Sequence, residues 1–242
     1  MRFTLRTLIL ALGAMSVAAA LSAQTPDPTG HWEGAITGPS GEQLRVEFDL
    51  ARSAQGKWYG TFSHPDQKIR GLPLSSVGLQ DALVTIDLRT SGGGIFQGDL
   101  AADNQSLSGV FASQFGPAPF KLARKGDAHF DPPLKNAAIG KDLEGTWTGL
   151  LDIEGGFRLV LKMANQADGS SSAVVTSVDE GGLEIPAASK QEGTKLMLTL
   201  PMVGSTFTGD INTAGSELVG IYTTPRGLAL PLTLKKSLSL KP

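Results

Sequence analysis

Apolar and polar residues alternate with a period of two along most of this chain. Leu44, Val46, Phe48 and Leu50 interleave with Arg45, Glu47, Asp49 and Ala51, and Val84, Ile86 and Leu88 with Thr85, Asp87 and Arg89. Phe157, Leu159, Leu161 and Met163 repeat the pattern against Arg158 and Lys162, as do Leu230, Leu232 and Leu234 against Thr233 and Lys235. This is the signature of strands with one buried face. No segment after the first 23 residues sustains the 3.6-residue period of a helix. Glycines, mostly between the apolar runs, punctuate many short strands.

The strands fall into two sets that match each other. Gly30-His31-Trp32-Glu33-Gly34 returns as Gly145-Thr146-Trp147-Thr148-Gly149, at an offset of 115. Arg45, Gly56, Asp66, Gln67 and Pro73 return as Arg158, Gly169, Asp179, Glu180 and Pro186, at 113. Phe96, Gly98, Asp99, Leu107, Gly109 and Gly116 return as Phe207, Gly209, Asp210, Leu218, Gly220 and Gly227, at 111. The offset drifts only in turns, where insertions are tolerated best. One unit is used twice.

The first copy predicts strands near 31–37, 44–52, 57–63, 72–77, 82–90, 94–101, 106–113 and 119–124. The second predicts them near 146–153, 157–164, 172–178, 183–188, 195–201, 205–212, 217–224 and 228–235. Short connections such as Ala54-Gln55-Gly56 make neighbours antiparallel hairpins. Closing each meander removes its exposed edges. The expected fold is all-β, with two tandem antiparallel up-and-down barrels of about eight strands, over 24–125 and 143–242. Two packed sheets per copy, or one sandwich shared by both, are the alternatives. The segment 126–142, with Asp131-Pro132-Pro133, reads as a stiff linker whose prolines deny it ladder hydrogen bonds.

Composition adds a compartment. Residues 1–23 combine Arg2 and Arg6 with an apolar run from Leu8 to Leu21 and a small residue, Ala23, at a cleavage point. This predicts a secretory signal peptide, too short and too isolated for a membrane span. The chain has no Cys, so it carries no lipid anchor on cysteine and no disulfide. A periplasmic or secreted protein held together by core packing is expected. Without the leader, 19 basic residues face 23 acidic ones, a net charge of −4. That balance argues against nucleic acid or an anionic membrane as partner.

Candidate chemistry is sparse. The stretch Ser63-His64-Pro65-Asp66-Gln67 and its echo Ser177-Val178-Asp179-Glu180 are the most site-like features. Such an acidic and amide pair after a strand either caps a turn or presents a carboxylate at a barrel mouth. Asp66, Gln67, Asp179 and Glu180 are therefore the candidate ligand-binding residues. His31, His64 and His129 follow no metal-ligand spacing, so no metal and no cofactor is expected. No Gly-x-Ser-x-Gly elbow occurs, and Gly92-Gly93-Gly94 leads into a strand rather than the helix a phosphate loop needs. No acid, base and nucleophile set converges, so catalysis is not expected.

The Gly-x-Trp opening each copy resembles that of lipocalin-like barrels. The resemblance implies a Trp plugging the closed end beneath a cation from the last strand: Arg124 in one copy, Lys235 or Lys236 in the other. Gly-x-Trp-x-Gly, then Leu44-Arg45-Val46 or Phe157-Arg158-Leu159, then Pro65-Asp66-Gln67 with Leu72-Pro73, then Pro119 to Leu122 or Pro231 to Leu234, is similar to a further family. This is the β-rich accessory domain that precedes the catalytic domain of many secreted bacterial α/β-hydrolase-type peptidases and esterases. Here it stands twice, without the hydrolase, and with Phe111 in place of a late Trp. The resemblance implies an exported non-catalytic β module. One expected role is binding a small apolar or amphipathic ligand, or a peptide. Another is a structural or interaction module for an envelope enzyme, with an outer patch built from Ile36, Val160 and Met197. An enzymatic role would need Asp66 or Asp179 in a deep pocket with a partner.

Overall fold

The structure, a computed structural model, describes residues 24–88, 93–153, 155–179 and 181–237. The expected leader lies outside the described residues. The first copy forms β1 (Gly30–Thr37), β2 (Gln43–Arg52), β3 (Trp58–His64), β4 (Ile69–Gln80), β5 (Leu83–Leu88), β6 (Ile95–Leu100), β7 (Ser106–Ser113) and β8 (Gly116–Gly126). Each strand pairs antiparallel with the next, and β8 pairs back onto β1, closing the barrel.

A two-residue strand, β9 (Asn136–Ala137), precedes the second copy. That copy contains β10 (Gly145–Leu151), β11 (Phe157–Asn165), β12 (Ser170–Ser177), β13 (Leu183–Pro186), β14 (Ala188–Glu192), β15 (Lys195–Leu200), β16 (Ser205–Ile211), β17 (Glu217–Thr223) and β18 (Ala229–Lys236). Its sheet runs β13-β12-β11-β10-β18-β17-β16-β15-β14. The two ends of that path, β13 and β14, are successive pieces of one strand parted at the buried Ala187. In the first barrel β4 serves both neighbours unbroken. Its start pairs with β3 up to Pro73, and its remainder with β5 from Leu74 on. The stretch 126–142 corrects an expectation: despite its prolines it enters a ladder, because Asn136 and Ala137 pair with Ser171 and Ser170.

The Trp residues close one end of each barrel in the same way. Trp32 and Trp147 are fully buried, and each Nε1 donates to the carbonyl four residues earlier, Pro28 and Leu143, at 2.9 Å. The Arg124 guanidinium lies over the Trp32 ring at 4.9 Å, and the Lys236 ammonium over Trp147 at 5.1 Å. Of the two lysines open from the sequence, Lys236 is the one; Lys235 pairs with Glu217 instead. Each glycine two residues after the Trp is required by space. A Cβ on Gly34 would sit 2.0 Å from the Lys121 carbonyl oxygen, and one on Gly149 2.6 Å from that of Thr233. First and last strands can cross this closely only without a side chain.

Inward faces form one buried cluster per barrel. Ile36, expected on an outer patch, is buried in the first of these. The barrels share core at their edge. Leu72 of β4 belongs to the second cluster, and Ile69 packs against both.

Candidate functional site

Strand pairing aligns the two interiors position by position. In the first barrel Phe48 lies opposite Phe62, Phe96 opposite Phe111, and Phe120 opposite Gly109. The same places in the second hold Leu161 opposite Val175, Phe207 opposite Tyr222, and Leu232 opposite Gly220. Four of the five phenylalanines are thus replaced, three by smaller aliphatic residues. In the first barrel the rings fill the interior: Phe96 packs edge-on against Phe48 (4.9 Å) and Phe120 (5.1 Å) and lies 4.3 Å from Phe111. In the second the missing rings leave space. A small void lies among Leu161, Val175, Phe207 and Leu232.

Above that void the second barrel opens into a cavity of about 430 Å³. This lies within the range of small-molecule sites, which are mostly apolar with a few polar groups that fix orientation. Its walls come from the ends of the strands far from Trp147. Leu151, Phe157, Leu159, Val175, Ile185 and Leu200 supply apolar surface. Ser177, Ser205, Tyr222 and Thr224 add hydroxyls, and Arg226 is the one charged side chain of the lining among the described residues.

The first barrel forms part of the rim. Gln67, in the short 3-10 turn Pro65–Gln67, and Ile69 both face the cavity. The Lys68 ammonium between them donates to the Pro225 carbonyl at 3.0 Å. Gly204 lets the barrels meet so closely: a Cβ there would stand 3.2 Å from Lys68 and Pro225 Cβ atoms, and its φ of +60° suits glycine. Lys68 and Arg226 therefore stand together at the opening, and no ion pair joins either to a carboxylate among the described residues.

Of the three candidate residues that are described, Gln67 lines this cavity. Asp66 and Asp179 take equivalent places beside it, each held by the arginine of the preceding strand pair. Arg45 donates to Asp66 through Nε (3.2 Å) and Nη2. Arg158 donates to Asp179 through Nε (2.9 Å), Nη2 (2.5 Å) and its backbone N–H (2.7 Å). These hydrogen bonds hold both carboxyls below their ordinary range. The sequence carried the signal, since Arg45 and Asp66 recur at one common offset. Glu180 lies outside the described residues.

The histidines separate. His31 Nδ1 meets Asp49 at 2.9 Å, in a polar cleft of about 340 Å³ between the first barrel's wall, the 129–131 segment and Met202. Burial lowers the His31 pKa, but hydrogen bonds to and charge from Asp49 and Glu33 outweigh it, and the net shift is upward. His64 is buried, and its Nδ1 has no hydrogen-bond partner among the described residues. Desolvation pulls its pKa down, more than the nearby Asp66 charge restores. Among the described residues no cluster of His and carboxylate groups could hold a metal ion, and no helix is long and apolar enough to cross a membrane.

No protein-family model matches the chain, and comparison with curated proteins gives no match. Solved structures give distant likenesses. One is a protein of unknown function from the DUF3598 family of Nostoc punctiforme, with 14% identity over 86% of this chain and 96% of that one, at a TM-score of 0.25. A candidate outer membrane protein from Bacteroides fragilis shares 8% identity over 86% and 95%, at 0.26. A candidate AttH from Nitrosomonas europaea shares 11% over 85% and 91%, at 0.22. At such scores the likeness carries no argument, and the fold rests on the strand pairing above.

Proposed function

We propose that this protein is an exported, non-catalytic binding module whose second barrel holds a small amphipathic molecule. The observation that carries this reading is the cavity of about 430 Å³ at the mouth of that barrel. Val175 in its wall stands where the first barrel has Phe62, and the small void beneath lies where Phe48 and Phe120 give way to Leu161 and Leu232. An apolar body fits among Leu151, Phe157, Leu159 and Val175. A polar or anionic end fits at the rim, where Arg226 and Lys68 supply positive charge and Gln67 an amide. The first barrel acts as scaffold and as one lip of the site.

The test is titration of the mature protein with anilinonaphthalene sulfonate, an apolar dye with an anionic end, beside native mass spectrometry of protein purified without detergent. A single saturable site is expected, or a bound adduct that leaves on denaturation. Val175→Phe restores the ring that Phe62 supplies in the first barrel. It should weaken the dye at least tenfold while moving stability by less than about 1.5 kcal/mol, because the ring enters existing space. Equal dye affinity in wild type and Val175→Phe would overturn the placement of the site. A bare mass together with no dye binding would overturn the reading itself.

A further inference from the structure

His64 ends β3 and stands at the N-terminal cap of the Pro65–Gln67 turn, which forms the first barrel's lip of the ligand cavity. Its residue is 9% exposed, and its Nδ1 is left without a hydrogen-bond partner among the described residues. Phe62 matches Val175 in the two barrels, so His64, two residues on, takes the place of Ser177. In the second barrel that place holds a small hydroxyl in the cavity lining. In the first it holds an imidazole, a group that changes charge between about pH 5 and 8.

The stretch 65–71 after it departs from strand geometry. The Lys68 N–H donates to the Pro65 carbonyl at 3.0 Å and closes the turn, with Lys68 at a φ of +57° and Gly71 at +65°. Ile69 then pairs with His64, and the register slips before Leu72 meets Phe62. Sparse ladder bonds and a left-handed lysine backbone mark a segment that opens at low cost in free energy. Gln67 and Ile69 of this segment line the cavity, and the Lys68 ammonium ties it to the Pro225 carbonyl across the rim. A shift of His64 therefore displaces Ile69, its ladder partner and part of the cavity wall.

Among the described residues two charges act on His64: the Asp66 carboxylate of the turn and the Arg45 guanidinium of β2, which are paired with each other. Glu47 of β2 and Arg70 of β4 line the polar cleft on the outer wall instead, and the turn Pro201–Val203, packed on β4, brings no charge. Burial pushes the imidazole towards its neutral form, and the Asp66 charge restores less than burial takes. A second proton would put a buried N–H in the wall with no acceptor, while Asp66 is engaged by Arg45. We propose that His64 is a proton switch on this lip: while the imidazole is neutral the turn stays seated and the cavity keeps its ligand, and when it is protonated the turn lifts Gln67 and Ile69 away and the ligand leaves. This inference rests on the ligand site proposed above and supplies its regulation. In the open lip His64 regains its ordinary value near 6.5, so binding weakens as pH falls through that value, by at most about tenfold per pH unit.

The test is titration of the mature full chain with anilinonaphthalene sulfonate at pH 7.5 and 5.5, with Val175→Phe supplying the background at each pH. Hydrogen exchange at the Lys68 amide, corrected for its intrinsic pH dependence, reads the lip without any ligand. The sulfonate, Lys68 and Arg226 keep their charges across this range, which leaves the histidines to titrate. Wild type should bind the dye at least about threefold more weakly at pH 5.5, with the Lys68 amide exchanging faster there and circular dichroism unchanged. His64→Ser, which copies Ser177, should bind with affinities within about twofold of each other at the two pH values. His31→Gln, in the polar cleft, should keep the wild-type difference. Equal wild-type affinity at both pH values, a difference that survives in His64→Ser, or an unchanged Lys68 exchange rate would each overturn the switch. A loss of strand signal at pH 5.5 would do the same, by assigning the release to unfolding. Absence of saturable binding already at pH 7.5 would overturn the ligand site itself and the switch with it.

Discussion

The two barrels share a wall plan and differ in what fills it. Both close one end with a buried Trp under a cation, and both pass a glycine beneath the crossing of first and last strands. Inside, five phenylalanines in the first barrel face Leu161, Val175, Phe207, Tyr222 and Leu232 in the second. A barrel of eight strands has room either for its own side chains or for one small ligand. Here one barrel is filled by its rings, and the other keeps a cavity of about 430 Å³ at its mouth.

The largest expected effect breaks the filled barrel. Phe96 is fully buried and touches Phe48, Phe111 and Phe120. Phe96→Ala should cost about 3–5 kcal/mol in chemical denaturation, the sum of lost transfer and a new cavity. Phe207→Ala, at the matching place beside an existing void, should cost less. Equal losses would mean that the second interior is as well packed as the first.

Next come the cations over the Trp rings. Arg124 also donates to the carbonyls of Asn104 (2.7 Å), Thr29 and Asp27, whereas Lys236 reaches that of Asp142 (2.6 Å). Arg124→Met should therefore destabilise by about 2 kcal/mol and Lys236→Met by about 1. Denaturation curves check the order.

Smaller still is a difference in pH response, because all three histidines lie before the second barrel. His31 has a raised folded pKa, so its contribution is complete below the unfolded value near 6.5 and fades as pH rises through the folded one. His64 has a lowered one, so the unfolded chain takes up its proton first and stability falls as pH drops below about 6.5. Melting temperatures from pH 5 to 8 should show His31→Gln losing most at the acid end. In the same range His64→Gln should flatten the acid fall. Parallel profiles would contradict both environments.

The smallest effect is expected at the paired carboxylates. Asp66→Asn and Asp179→Asn each remove one exposed ion pair, which water and salt already screen. Thermal melts should barely move, and the two copies should behave alike.

Much of this was legible in the sequence. Period-two alternation located the strands, and the recurring offsets located the duplication, because both follow from backbone geometry that side chains must obey. The Trp and its cation were legible for the same reason. The cavity was not, although one of its wall positions was in plain view: Phe62 against Val175 lies at the offset of 113. The alternation that marks an inward position is blind to side-chain volume. The β9 strand was missed because Asp131-Pro132-Pro133 speaks against a ladder, yet two residues beyond the prolines suffice when Asn136 supplies the bridging bonds. Asp66 stood out as a site residue because its arginine partner is 21 positions away in sequence, a distance that a hairpin erases.

Leu72 lies in the first barrel by sequence and in the second barrel's buried cluster by contact. Pulling the first barrel apart would strip a wall residue from the second, and Ile69 links the two in the same way. Tandem domains joined only by a tether melt as separate events. These two copies, sharing a buried seam residue, should give a single calorimetric peak whose van't Hoff and calorimetric enthalpies agree for the whole chain.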